Sequence, residues 1–146
     1  MPSKLFLLDT SAWLLALRKD GIQEVRERVD LLLKEDRIVT TGIVKLEILG
    51  GTRTEKEFQR LKSRLDVFYA VETDTYLLEE AYQLAFNLRR KGITVPCTDI
   101  LVAASAMKAK AVVVHADAHF DIMSKHTELG VESFVRTVRS HTKKKK

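Results

Sequence analysis

Cysteine is nearly absent: Cys97 stands alone in 146 residues. A single thiol excludes an internal disulfide framework and suits a reducing cytoplasm, which is the expected location. Long hydrophobic runs are missing too. No apolar stretch approaches the ~20 residues needed to cross a bilayer, so no membrane association is expected. The opening Met1-Pro2-Ser3-Lys4 leads into a short apolar run that ends in an acid after a few residues, a poor secretory signal. Internal repeats and domain linkers are also lacking. A strong charge imbalance is absent once the ends are separated from the body. The net charge is +5, but residues 143–146 are all lysine and supply four of those charges, which leaves residues 1–142 at +1. That body is too balanced for a uniformly basic nucleic-acid coat, so any basic surface must be local. The lysine-rich end reads as a solvated tail able to add salt-sensitive attraction for phosphate.

What the chain does contain is 45% hydrophobic and 31% charged residues, the ordinary mixture of a globular protein, in a length that suits one domain with a real core. Short β-branched apolar runs alternate with longer amphipathic patterns. Strands are expected at 5–8, 37–41, 67–71, 111–114 and, at an edge, 131–135. Helices are expected at 11–18, 21–34, 43–49, 54–65, 74–91 and 98–108, with a short one after Asp117. The 25, 29, 32 and 33 positions share one helix face, and Gly50-Gly51 and Gly92 mark helix ends. Strands alternating with helices imply an α/β fold with a mainly parallel sheet between helical layers. We expect a single domain over residues 1–137 and a basic, unstructured tail over 138–146.

Four acids sit among greasy neighbours. Asp9 ends Leu5-Phe6-Leu7-Leu8, Glu47 interrupts Ile43-Val44-Lys45-Leu46-Glu47-Ile48-Leu49, Asp99 opens Ile100-Leu101-Val102-Ala103-Ala104, and Asp117 follows Val112-Val113-Val114. Each of Asp9, Asp99 and Asp117 also fits a plainer role, capping a helix or complementing its dipole. Glu47 fits that role less well, because at 100° per residue it projects between Ile43 and Val44 on the apolar side of its helix. In parallel sheets, ligands bind beyond the carboxyl ends of the strands, where Asp9 and Asp117 fall. Two carboxylates 5 Å apart repel by ~3 kcal/mol at an effective dielectric near 20, so several brought together need protons or a cation. Mg²⁺ or Mn²⁺ is the cation such oxygen donors favour, and metal-assisted hydrolysis is the chemistry that follows.

These segments in this order, Leu-Leu-Asp9-Thr-Ser-Ala, Leu46-Glu47, Thr98-Asp99-Ile-Leu-Val-Ala-Ala and Asp117-x-x-Phe120, resemble the PIN domain, and in particular the small VapC-type toxin nucleases of toxin–antitoxin pairs. The resemblance spans about residues 4–135. It implies a three-layer Rossmann-like fold, Mg²⁺ or Mn²⁺ dependence and endonucleolytic cleavage of RNA. It matches Asp9, Glu47, Asp99 and Asp117 to the metal-binding, catalytic acids of the family, and Ser11 to a small hydroxylated position that orients a ligand or water. It further implies an antitoxin protein partner and a homodimer.

The chain also departs from the pattern. His115 stands where many relatives have Thr, Ser or Asn, and His119 where many have a further Asp. Both could contact phosphate or a metal, or serve as ordinary polar residues near a strand end. Two other classes remain open at this point. One is a non-catalytic RNA-binding or scaffolding module of the same fold. The other is a phosphotransfer domain with Asp9 as nucleophile, against which Ser11 occupies the place where the haloacid-dehalogenase type needs a second Asp.

Overall fold

In the computed structural model, which describes residues 4–144, the expected alternation is present nearly element for element. Strands β1 (Leu5–Leu8), β2 (Ile38–Thr41), β3 (Tyr69–Val71), β4 (Ala111–His115) and β5 (Val131–Ser133) form one sheet in the order β3-β2-β1-β4-β5, every pair parallel. Helices α1 (Thr10–Leu17), α2 (Gln23–Lys34), α3 (Gly42–Gly50), α4 (Glu55–Leu65), α5 (Thr75–Arg90), α6 (Cys97–Ala109), α7 (Ala118–His126) and α8 (Val135–Lys144) flank it. Among the described residues, no helix is long and apolar enough to cross a membrane.

The centre of the sheet is the least polar part of the chain. Leu7 and Leu8 of β1 and Val113 and Val114 of β4 are completely buried, as strands covered on both faces must be. Their register pairs Leu5 with Ala111 and Leu8 with Val114, so β1 and β4 reach the same end of the sheet together. From β1 the chain moves to β2 on one side; it later returns to add β4 on the other. That reversal opens a crevice beyond the carboxyl ends of β1 and β4, the position at which open parallel sheets hold ligands.

Helix patterns translate directly into packing. Leu77, Ala81, Leu84 and Leu88 form the buried stripe of α5, while α6 is buried almost all round through Ile100, Val102, Ala103, Ala104, Ser105 and Ala106. Small side chains on α6 let neighbouring elements approach closely. In α2 the stripe is Val25, Val29 and Leu32, but Leu33 is exposed, because it lies at the margin of the stripe. The second helix also begins at Gln23 rather than Gly21. Gly21 lies in the preceding turn, where an added Cβ would come 1.9 Å from the Leu15 carbonyl oxygen, so only glycine fits.

The carboxyl end of the chain differs from expectation. Strand β5 stops at Ser133, and Val135 opens a helix instead of closing the strand. Residues 138–144, expected as an unstructured tail, are helical. The cause is an apolar stripe at helical spacing: Phe134 and Val138 pack against the core one turn apart, and His141 follows half-buried on the same side. Lys145 and Lys146 lie outside the described residues.

Candidate metal centre

Asp9 sits just past β1, its amide donating to the Val114 carbonyl at 2.9 Å, which ties it to the end of β4. It is buried and serves as N-cap of α1: its Oδ2 accepts the Ser11 amide at 3.1 Å and the Ser11 hydroxyl at 2.6 Å. The Ser11 oxygen in turn accepts the Ala116 amide at 3.0 Å. The capping role is therefore real, and it holds one carboxylate oxygen in place.

Asp117 caps α7 in the same manner, its Oδ1 accepting the His119 amide at 2.9 Å. Asp99 is not a cap. It lies in the first turn of α6, after the N-cap Pro96, and only 8% of it is exposed. The helix dipole there favours an anion. Nevertheless its carboxyl is pushed up to about 6, first by burial, then by the negative charge of Asp117 and of Asp9, with His119 pulling the other way. Desolvation and two like charges outweigh a helix N-terminus, the signature of acids gathered for a purpose other than stability.

His119 completes the group. Its Nδ1 lies 3.1 Å from Asp99 Oδ2 and 3.1 Å from Asp117 Oδ1. One ligand atom from each of Asp99, Asp117 and His119 falls within a 4.8 Å sphere of mutual separation. Carboxylate oxygens at a partly buried site carrying excess negative charge suit a hard divalent cation, and an imidazole nitrogen is compatible with one, so the residues fit such an ion.

Glu47 stands apart from this trio. Val44 and Ile48 occupy the buried face of α3, and Glu47, at the edge of that face, is exposed rather than set among apolar groups as its spacing suggested. Its Oε1 accepts the Thr10 hydroxyl at 2.9 Å, which places it beside the start of α1, next to Asp9 in sequence. It also lines a groove of about 350 Å³ with Arg18, Glu57, Arg60 and Arg64. Arg60 and Arg64 of α4 thus open onto the same groove as one of the four acids.

The two histidines separate completely. His115, at the end of β4, is fully buried and its ring packs 5.1 Å from Phe120. Its Nδ1 accepts the Asp117 amide at 3.1 Å, and its Nε2 lies 3.3 Å from Asp121 Oδ1 without the alignment of a hydrogen bond. Burial pushes its basicity down against the pull of Asp121, Asp9 and Asp117. It is not placed to meet a phosphate or an ion; it shapes the loop carrying Asp117. Nothing in the local sequence distinguishes the two, since both flank the same acid at equal spacing.

Thr10 and Ala116 take part through contacts that the sequence does not signal. The first extends the cap segment toward Glu47 and the second is seen only through its amide, so neither carries a residue-type signal. Trp13 is buried, 5.7 Å from Phe68, in the wall of an apolar groove of about 730 Å³ that also includes Leu17, Leu33 and Leu61. Cys97 is exposed and free.

Comparison with known proteins agrees with the fold. The family model of the PIN domain matches residues 6–125. The chain is 32% identical over 133 residues to ribonuclease VapC11 of Mycobacterium tuberculosis, covering 89% of this chain and 99% of that protein. It is 30% identical over 122 residues to ribonuclease VapC51 of the same organism, covering 82% and 85%. Among solved structures, VapBC2 from Rickettsia felis bound to a promoter DNA fragment superposes with a TM-score of 0.73 at 20% identity, over 88% of this chain and 98% of the other. VapBC-1 from nontypeable Haemophilus influenzae superposes with a TM-score of 0.71 at 20% identity, over 90% and 98%.

Proposed function

The chain belongs to the PIN domain family, and on that premise we propose that it is a metal-dependent endoribonuclease, hydrolysing RNA phosphodiester bonds as the toxin of a toxin–antitoxin pair. The observation that carries this reading is the cluster of Asp99, Asp117 and His119, with Asp9 near enough for its charge to act on Asp99, whose carboxyl is pushed up to about 6 first by burial and then by Asp117 and Asp9. The names of the relatives add the substrate class, RNA.

In this proposal Asp9, Asp99 and Asp117 hold Mg²⁺ or Mn²⁺, with Glu47 at the outer rim. When bound, such an ion supplies a water of lowered pKa and neutralises charge on a phosphate. The protein's own part is positioning. Ser11 holds one oxygen of Asp9, Oδ2, through both its amide and its hydroxyl. Glu47, exposed and oriented by Thr10, can accept a proton at the mouth of the site. Arg18, Arg60 and Arg64, along the groove that Glu47 lines, offer bidentate donors for the RNA backbone. Burial of Asp9 and Asp99 keeps bulk water from competing for their oxygens.

An antitoxin partner belongs to the same proposal, supported by the VapBC complexes among the structural neighbours; a homodimer and a cytoplasmic location are proposed with it on the family resemblance alone. The deciding assay incubates the purified protein with total RNA in Mg²⁺, Mn²⁺ or EDTA. Cleavage with an ion, none in EDTA and none in Asp9→Asn or Asp99→Asn variants that still fold is the expected result. Full activity in either variant, or cleavage unaffected by EDTA, would overturn the assignment.

A further inference from the structure

We propose that His119 is a direct ligand of the ion at this site, and that its nitrogen makes the site favour a first-row transition ion over Mg²⁺. The inference rests on the metal-dependent reading above and deepens it.

Three observations carry it. First, His119 Nδ1 is equidistant, at 3.1 Å, from one oxygen of Asp99 and one of Asp117. Bonds of about 2.1 Å set adjacent donors of an octahedral ion about 3 Å apart, so each carboxylate oxygen already stands from Nδ1 at the spacing of a neighbouring ligand, and the three groups offer ligand atoms within 4.8 Å of one another. Second, the position is built. Residue 119 lies in the first turn of α7, its amide is fastened to Asp117 Oδ1 at 2.9 Å, and the Asp117 amide is fastened to His115 Nδ1 at 3.1 Å. The backbone that aims Asp117 therefore aims the imidazole as well. Third, the ring is oriented for the task. Nδ1 meets the Asp99 carboxylate at 3.1 Å, a contact in which the imidazole donates when Nδ1 carries the proton, and the side chain as a whole is 39% exposed; with an ion held at Nδ1 that proton would sit on Nε2 instead. A neutral imidazole whose outer N–H is satisfied presents its inner lone pair as a ligand.

The chemical consequence follows from donor type. Mg²⁺ is small and prefers a regular octahedron of oxygens, whereas imidazole suits first-row transition ions and Mn²⁺ accepts a mixed nitrogen and oxygen set. Replacing an oxygen donor by nitrogen costs Mg²⁺ more than Mn²⁺. The same fold with an acidic side chain at 119 would have no such bias.

The test uses the full chain and the metals alone. Mn²⁺ and Mg²⁺ affinities are measured by calorimetric titration on the wild type, His119→Gln, His119→Asp and Asp99→Asn, and Mn²⁺-loaded samples are examined by pulsed electron paramagnetic resonance. We expect nitrogen modulation of the Mn²⁺ signal in the wild type and its loss in His119→Gln. His119→Gln should weaken Mn²⁺ at least about tenfold, since even partners one shell out cost that much. Mg²⁺ affinity should change far less, and His119→Asp should improve Mg²⁺ relative to Mn²⁺. Mn²⁺ that binds in an Asp99-dependent way without nitrogen modulation overturns the ligand role of His119 and leaves the metal site standing. An unchanged Mn²⁺ to Mg²⁺ affinity ratio in His119→Gln overturns the selectivity. Binding indifferent to Asp99→Asn overturns both this inference and the metal-dependent reading beneath it. His119→Gln, whose site is partly exposed, is checked for folding by thermal melting; the wild-type spectrum decides the ligand role even if that variant unfolds.

Discussion

The Ser11 hydroxyl donates to Asp9 Oδ2 over 2.6 Å, and Ser11 Oγ itself accepts the Ala116 amide at 3.0 Å. One small side chain thus joins the residue after β1 to the loop after β4, the two strand ends between which the crevice opens. Ser11→Ala removes both bonds, leaving the Ala116 amide without its partner and Asp9 held only by the Ser11 backbone. Cleavage should fall by about 10–100-fold, the usual effect of losing a group that orients a ligand. Stability should drop by about 1 kcal/mol. Initial rates and urea midpoints measured together check this; a rate loss no larger than the small change in folded fraction would contradict it.

Asp99 makes stability depend on pH in a definite direction. Its carboxyl in the folded protein is raised from the usual 3.8 to about 6, so the folded state holds the proton more tightly than the unfolded chain. The contribution is therefore fully present below about pH 4 and is lost as the pH rises through about 6, for a total on the order of 2–3 kcal/mol. Asp99→Asn removes that penalty. In EDTA its melting temperature should exceed that of the wild type by several degrees at pH 8 and by little at pH 4.5, even though the variant is inactive. Thermal melts at the two pH values decide the matter: equal differences at both would show that the carboxyls do not strain one another.

His115 acts with the opposite sign. Burial pushes its basicity down, so its contribution is present above about pH 6.5 and is lost as the pH falls below that value. His115→Leu should abolish this acid sensitivity but leave the Asp117 amide without an acceptor, at a cost of about 1–3 kcal/mol at pH 7.5. His115→Asn, which brings a carbonyl oxygen near the place of Nδ1, should recover part of that loss. Denaturation curves at pH 5 and 7.5 for both variants test the pair; equal losses for Leu and Asn would remove the hydrogen bond from the explanation.

Arg28 and Glu132 form a two-bond ion pair, at 2.8 and 2.9 Å, joining α2 to the edge strand β5 across 104 positions of sequence. The guanidinium also lies 5.1 Å from the centre of the Phe6 ring. Both partners are partly exposed, so the pair itself is worth a fraction of 1 kcal/mol. Arg28→Ala should cost about 1 kcal/mol because stacking and stem packing are lost as well. Glu132→Gln should cost less, and in 1 M salt its effect should shrink by the larger fraction, because the Arg28→Ala loss also contains packing that salt does not screen. Urea titrations at low and high salt separate the two contributions.

Much of this was legible before any coordinates. Leu5-Phe6-Leu7-Leu8 and Val112-Val113-Val114 read as buried parallel strands because no other role accommodates such runs, and the α5 stripe of Leu77, Ala81, Leu84 and Leu88 reads as a helix face by spacing alone. The helical end of the chain was obscured because its lysines dominate the composition, while Phe134, Val138 and His141 are too few to stand out against them. A 100° projection sets Glu47 on the apolar side of its helix, but such a projection resolves faces and not their edges, and an edge residue can turn to solvent.

Sequence by itself determined the elements and the four acids, since helix and strand periods and capping preferences are local properties of neighbouring residues. Tertiary structure decided which acids share a site. The Ser11 bond to Ala116 spans 105 positions and the His119 contact with Asp99 spans 20; both exist only because β4 returns to pair with β1 in register. It also decided that His119 faces the acids while His115 is sealed beneath them. The two side chains are four residues apart with a strand end between them, and only the packing of α7 on the sheet sends one inward and the other toward the crevice.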